Sequence, residues 1–282
     1  GSGWPALSRV LKRGRGGAEL RAATVVENRI FAAEVRLVSG LGVVLFQKMR
    51  VVDLLAIGAA SFLGSLLMLL LARRVFAARI KPSPTDAHAL VALRWQRLTQ
   101  RQKRCLLLLP ALAAVGSPAM ALLPALAQEI QPENAAGLAL PLLFARSMGQ
   151  LCGPMLLKRD SLTRVATQPL LLMGYLALFL AAYGVLPLLS GWVVPALGMI
   201  FIAHLASNIV FAAGTFGVLS NFQMAQISSA SSKAWRWQTL SASLFTGLAA
   251  MVATAFGAVE ALYMVSGTAL LFVTLVLRRF SD

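Results

Sequence analysis

Six polar side chains interrupt stretches that are otherwise apolar: Glu34, Arg36, Arg146, Gln150, His204 and Asn208. A charge at membrane depth costs about 2.5–3.5 kcal/mol on insertion scales, so ionisable residues there face protein or a water-filled path. Glu34 and Arg146 have opposite signs and would satisfy one another as a pair. Such a pair either holds helices together or takes part in gating and substrate contact. Arg36 would equally serve an acidic group elsewhere. His204 brings a different chemistry, because an imidazole with an unperturbed pKa near 6.5 can relay protons. Its plainer reading is a neutral imidazole hydrogen-bonded to a neighbouring helix. Asn208 stands one turn beyond His204, and Gln150 one turn beyond Arg146.

The elements that must carry these groups are long apolar runs. The chain has 282 residues, 58% of them hydrophobic and only 13% charged, against about 25% charged in an ordinary soluble domain. Eight runs of spanning length can be marked, near 24–46, 52–72, 105–128, 135–157, 168–187, 192–214, 238–256 and 261–277. Roughly 20 apolar residues are needed to cross the hydrocarbon core as a helix, whereas barrel strands would show about ten residues of alternation. The expected fold class is an all-α membrane protein, a polytopic helical bundle of about eight transmembrane helices. Glu27, Arg29, Glu34 and Arg36 all fall in the first run. At about 100° per residue the two acids share one face and the two arginines roughly the opposite one. That helix therefore needs protein or water on two sides.

The net charge of +16 follows the membrane rather than a patch. Five Lys/Arg lie in 1–23, nine in 73–104, three in 158–164, two in 233–236 and two at 278–279. The loops 129–134, 188–191 and 257–260 have none and contain Glu129, Glu133 and Glu260. With eight spans, all of these basic segments fall on one side, which the positive-inside rule makes cytoplasmic, while the loops of the other side carry only Lys48 and Arg50. The expected place is the inner (cytoplasmic) membrane, multi-pass, with both ends of this chain inside. Topology thus accounts for the basic charge, and no nucleic-acid partner is expected. Cys105 and Cys152 both fall near cytoplasmic span ends, where a structural disulfide is not expected, and two cysteines make no metal site. The chain carries none of the common hydrolase, P-loop or metalloprotease motifs. No catalytic residue, metal or cofactor is assigned, and no enzyme activity is expected.

Three regions result: 1–72 with two spans, a basic linker at 73–104, and 105–282 with six short-looped spans. Within the linker, Ser83-Pro84-Thr85-Asp86 offers a turn and an N-cap. From Ala87 onward, Leu90, Val91, Leu93, Trp95 and Leu98 alternate with basic residues, which predicts a short cationic helix on the inner leaflet. Pro110, Pro118 and Pro124 would kink one span. Ala145, Gly149 and Gly153 offer small residues at four-residue spacing for close helix approach. Trp192, Trp235 and Trp237 stand at span ends as interface anchors.

These segments resemble a known family. The run AASFLGSLLMLLLARR at 59–74 is similar to the sixth span of the major facilitator superfamily, in its drug and macrolide exporter branch, where a Ser-Phe-Leu run precedes a long basic central loop. VRLVSGLG at 35–42 resembles the fifth span, where an arginine, here Arg36, precedes a Gly-Pro motif; Ser39-Gly40 stands in its place. Residues 231–277 look like the last two spans with their entry loop, and GPMLLKRDSLTR at 153–164 is loosely similar to a basic loop of the second half. The resemblance covers nearly the whole chain in order and implies spans five to twelve, with the first four spans of the same protein absent. It places the run 24–46 against 135–157 across the interface between two bundles, which is where Glu34 and Arg146 would meet. It implies a secondary transporter that rocks two bundles around a midplane site and exports a small amphipathic molecule, with protons as the candidate coupling ion. A non-transporting membrane module that binds or scaffolds a partner is the alternative from another class. Beyond the lipid bilayer and a small-molecule substrate, no partner is implied.

Overall fold

The computed structural model describes residues 93–157 and 159–280, together with positions 60, 63–64, 66–68 and 70–71. The chain divides into two compact units, residues 1–35 with 90–282, and residues 36–89. In the second unit the described positions between 60 and 71 are helical. Glu34 and Arg36 lie outside the described residues, as do the run 24–46, most of 52–72 and most of the linker.

In the first unit the described chain is helical throughout and contains no strand. Its helices are α1 (Gln100–Ile130), α2 (Ala135–Met155), the short α3 (Arg159–Thr167), α4 (Pro169–Val185), α5 (Val193–Asn221), α6 (Met224–Phe256) and α7 (Ala258–Arg278). Among the described residues five helices are long and apolar enough to cross a membrane: α1, α4 with its closing turn to Leu189, α5, α6 and α7. The protein is therefore an all-α, multi-pass membrane protein. Eight spans were expected. Two of those runs fall wholly or mostly on residues not described, and α2, of 21 residues, is not among the five.

The helices run alternately up and down. Gly191 N–H donates to the Ile130 carbonyl at 2.9 Å, joining the end of α1 to the start of α5, while Gln102 at the start of α1 donates to the Asn221 carbonyl at the end of α5 (3.0 Å). Helix α1 is the centre of the bundle, packing on α2, α4, α5, α6 and α7. Its own sequence starts it cleanly: Thr99 and Gln102 exchange side-chain-to-backbone hydrogen bonds in a capping box. Pro110, Pro118 and Pro124 all lie within it. Each removes one ladder donor, which leaves the carbonyls of Leu106, Ala114 and Met120 without their usual partner.

Two local expectations change. The cationic helix expected from Ala87 is, in its described part, a single 3₁₀ turn at Trp95–Arg97 flanked by extended Arg94 and Leu98. Leu98 is drawn into a small core with Leu106, Leu109, Phe222 and Ala234, and this docking replaces continued helix. Helix α6 starts at Met224 rather than near 238, because the polar segment 224–237 holds no Gly or Pro to interrupt it. It stops at Gly257, whose φ of 106° suits glycine and lets α7 turn back at once.

Candidate functional site

The mid-bundle polar groups come from three helices. His204 on α5 is fully buried, and its Nε2 lies 2.8 Å from the Tyr183 hydroxyl on α4. Phe179, one turn before Tyr183, packs edge-on to the imidazole with centroids 5.8 Å apart, and tilted against Tyr183 at 4.9 Å. A Cβ on Gly116 of α1 would lie 3.6 Å from the Phe179 ring, close to Pro118 in sequence, so the cluster sits where α1, α4 and α5 meet. Helix α2 adds Arg146, half-buried and three residues before Gly149, on which a Cβ would lie 3.1 Å from the His204 Cβ.

The α2–α5 contact is set by small residues. A Cβ on Gly149 would lie 2.3 Å from the Phe201 carbonyl oxygen and 3.1 Å from the His204 Cβ; one on Gly153 would lie 2.7 Å from the Leu205 carbonyl oxygen. The two backbones are thus as close as glycine permits. Asn208 closes the seam by donating from Nδ2 to the Gln150 carbonyl. The Ala145–Gly149–Gly153 stripe was expected to allow a close helix approach, and its two glycines lie against α5. The side chain of Asn208 therefore serves helix packing, and the part of Gln150 engaged by it is the backbone.

The expected residues thus separate. Arg146 and His204 are brought into one cluster, Gln150 and Asn208 form the adjoining seam, and the Glu34–Arg146 pair lies outside the described residues. Tyr183 and Phe179 were missed by sequence reasoning, although an aromatic pair four residues apart in an apolar run was a usable signal. A second missed feature is the π-helical turn at Leu262–Ser266 in α7, whose Ser266 hydroxyl is buried without a hydrogen-bond partner among the described residues. It packs on α1, and Tyr263 donates to the Gly184 carbonyl at 2.6 Å. Such turns recur at functional positions.

Chemically, the Tyr183–His204 hydrogen bond can run in either sense. If Tyr183 donates, Nε2 accepts and Nδ1 carries the hydrogen; if Nε2–H donates, Nδ1 is an open acceptor. In either case Nδ1 is buried with no partner among the described residues. Cys105 is buried and Cys152 half-buried, and both are free thiols. The described residues hold no group of three or more His, Cys, Asp or Glu placed to bind a metal. Compared with protein-family models, curated proteins and solved structures, the chain matches none.

Proposed function

We propose that the chain belongs to a secondary transporter of the major facilitator type, with eight spans in residues 1–282, both ends cytoplasmic, that exports a small molecule by alternating access with proton coupling. The observation that carries this is the buried Tyr183–His204 hydrogen bond, with Arg146 on the adjoining α2: polar and charged groups at membrane depth, where each is costly. Taking a proton at the open Nδ1 would make His204 a second cation next to Arg146. An anionic group entering the cluster would balance it, which links binding to proton uptake. That group is Glu34 or the substrate itself.

The test is flux of a compound panel by the complete protein in proteoliposomes under an imposed pH gradient. His204→Asn and Tyr183→Phe should lose gradient-driven flux yet keep exchange of substrate across the membrane. Unchanged gradient-driven flux in both variants sinks the coupling role. Glu34→Arg combined with Arg146→Glu should regain part of what either change loses if Glu34 is the balancing group. Orientation is read separately: with Cys105 and Cys152 replaced by serine, cysteines at Gln131 and Ser190 should react with an impermeant reagent from outside and one at Ser83 should not.

The alternative, a non-transporting scaffold, draws on the backbone-to-backbone seating of α2 on α5 at Gly149 and Gly153. A seam that tight suits a rigid bundle. Absence of flux for every compound, with a stable fold, would favour it.

A further inference from the structure

The basic end of the bundle carries an arrangement that transport does not use. The entry to α1, the first turns of α6 and the end of α7 converge there. Trp95 packs edge-on to Trp237 of α6 (centroids 5.3 Å apart) and to Phe280 just beyond α7 (5.9 Å). Lys233 lies 5.0 Å from the Trp237 ring centroid and 5.9 Å from that of Trp95, and its Nζ donates to the Leu93 carbonyl at 3.2 Å. Lys103, from the first turn of α1, reaches the same Trp95 ring at 5.8 Å. Indole faces attract ammonium groups, so the rings fix both lysines instead of leaving them to wander in solvent.

Two cations are thereby held around one ring, against their mutual repulsion, and among the described residues no carboxylate lies in the segments that carry them. Segments 93–104, 224–239 and 276–280 contain nine Lys/Arg and no Asp or Glu. Glu129, Glu133 and Glu260 belong to the opposite end, and Asp160 is on α3, which packs on α4 and α5. Arg104, one turn into α1, is 3% exposed, and its Nε has no hydrogen-bond partner among the described residues. Arg94, Arg97, Arg101 and Arg236 are exposed. A preorganised pair of ammonium groups calls for an anion with several acceptor oxygens.

The height of the notch says which anion. Trp237 directly precedes the apolar part of α6, Trp95 precedes α1, and Phe280 follows the last turn of α7. Indoles at the ends of spans sit at headgroup level. We propose that the Trp95–Lys103–Lys233–Trp237 notch binds the phosphodiester headgroup of an anionic phospholipid, with Lys103 and Lys233 as its direct ligands.

The experiment uses the full chain in nanodiscs containing equal amounts of phosphatidylglycerol and phosphatidylcholine, ejected into a mass spectrometer to read which lipid stays bound. The wild type should retain phosphatidylglycerol preferentially. Each lysine near an anionic surface is worth a factor of about five, so Lys103→Gln with Lys233→Gln should lower the preference by about twenty-five-fold. Lys103→Arg with Lys233→Arg should keep most of it, and Arg164→Gln on α3 should leave it unchanged. Rising sodium chloride should erode the wild-type preference, which tests the idea even if the double glutamine variant fails to fold. Equal retention of the two lipids by the wild type, or a preference untouched by salt or by the glutamine pair, would overturn the proposal. So would displacement of phosphatidylglycerol by millimolar inorganic phosphate, which would mark the notch as a site for a free anion.

Discussion

Helices α1 and α6 run 31 and 33 residues, and both are apolar enough to cross a membrane, yet 72% of the most apolar stretch of α1 is buried in protein against 6% of that of α6. Hydropathy does not separate them, because lipid tails are as apolar as a protein core and helix association in a membrane depends on packing. What separates them is how the small and large residues are placed. In α1, alanines and Gly116 alternate with buried Leu108, Leu122, Leu123 and Leu126 so that neighbours fit on several sides. In α6 an outer stripe of Leu240, Leu244, Leu248 and Met251 is 41–69% exposed.

The largest effect should come where close packing is tightest. Gly149→Leu forces a side chain against the Phe201 carbonyl, which even a Cβ would approach to 2.3 Å. Backbone on the other side cannot give way cheaply, so a loss of about 3 kcal/mol or more, or failure of α2 to seat on α5, is expected. Thermal unfolding in mild detergent would read it. A Gly149→Leu protein as stable as the wild type would mean that α2 and α5 do not meet as described.

Next comes a direct contrast between the two helices. Leu126→Ala on α1 removes a fully buried side chain and should cost about 2–4 kcal/mol. Leu244→Ala on α6, where Leu244 is 60% exposed, should change stability by less than about 0.5 kcal/mol. Equal losses at the two positions would show that the outer face of α6 is packed.

Span placement was legible in the sequence because runs of twenty apolar residues have few alternatives in lipid. The apolar runs after residue 104 all reappear as helices. Interior polar residues were legible for a similar reason: His204 and Arg146 stand out against their surroundings. Their partners were not. Tyr183 looks like any aromatic in an apolar run, and only the crossing of α4 over α5 gives it a role. The glycines at 149 and 153 announced a close contact without naming the helix that makes it. At the linker, alternation of apolar and basic residues predicted a helix, but Leu98 and Trp95 gain more by docking beside α6.

A smaller effect tests the pair at the centre. Tyr183→Phe leaves His204 Nε2 buried without its partner, at a cost of about 1–2 kcal/mol. His204→Phe should cost a similar amount, and the double variant less than the sum, because each single change strands the other group. Additive losses, measured by the same unfolding assay, would mean that the two side chains do not share a hydrogen bond.

The smallest effect tests the outer face of α6 and is read by its sign. A Cβ at Gly247 would have nothing within 4 Å, in contrast to Gly149, and its neighbours Leu244 and Leu248 are exposed on the same side. If that face meets lipid, Gly247→Leu adds apolar surface to an apolar solvent and removes the helix cost of glycine, up to about 1 kcal/mol relative to alanine. Stability should then hold or rise by about 0.5 kcal/mol. If another helix covers the face, the same leucine would wedge the two apart, since Thr239, Ser243 and Gly247 repeat at the four-residue spacing on which membrane helices approach closely. A loss of more than about 1 kcal/mol would therefore turn α6 from a lipid-facing helix into a contact helix. It would also remove the difference between α6 and α1.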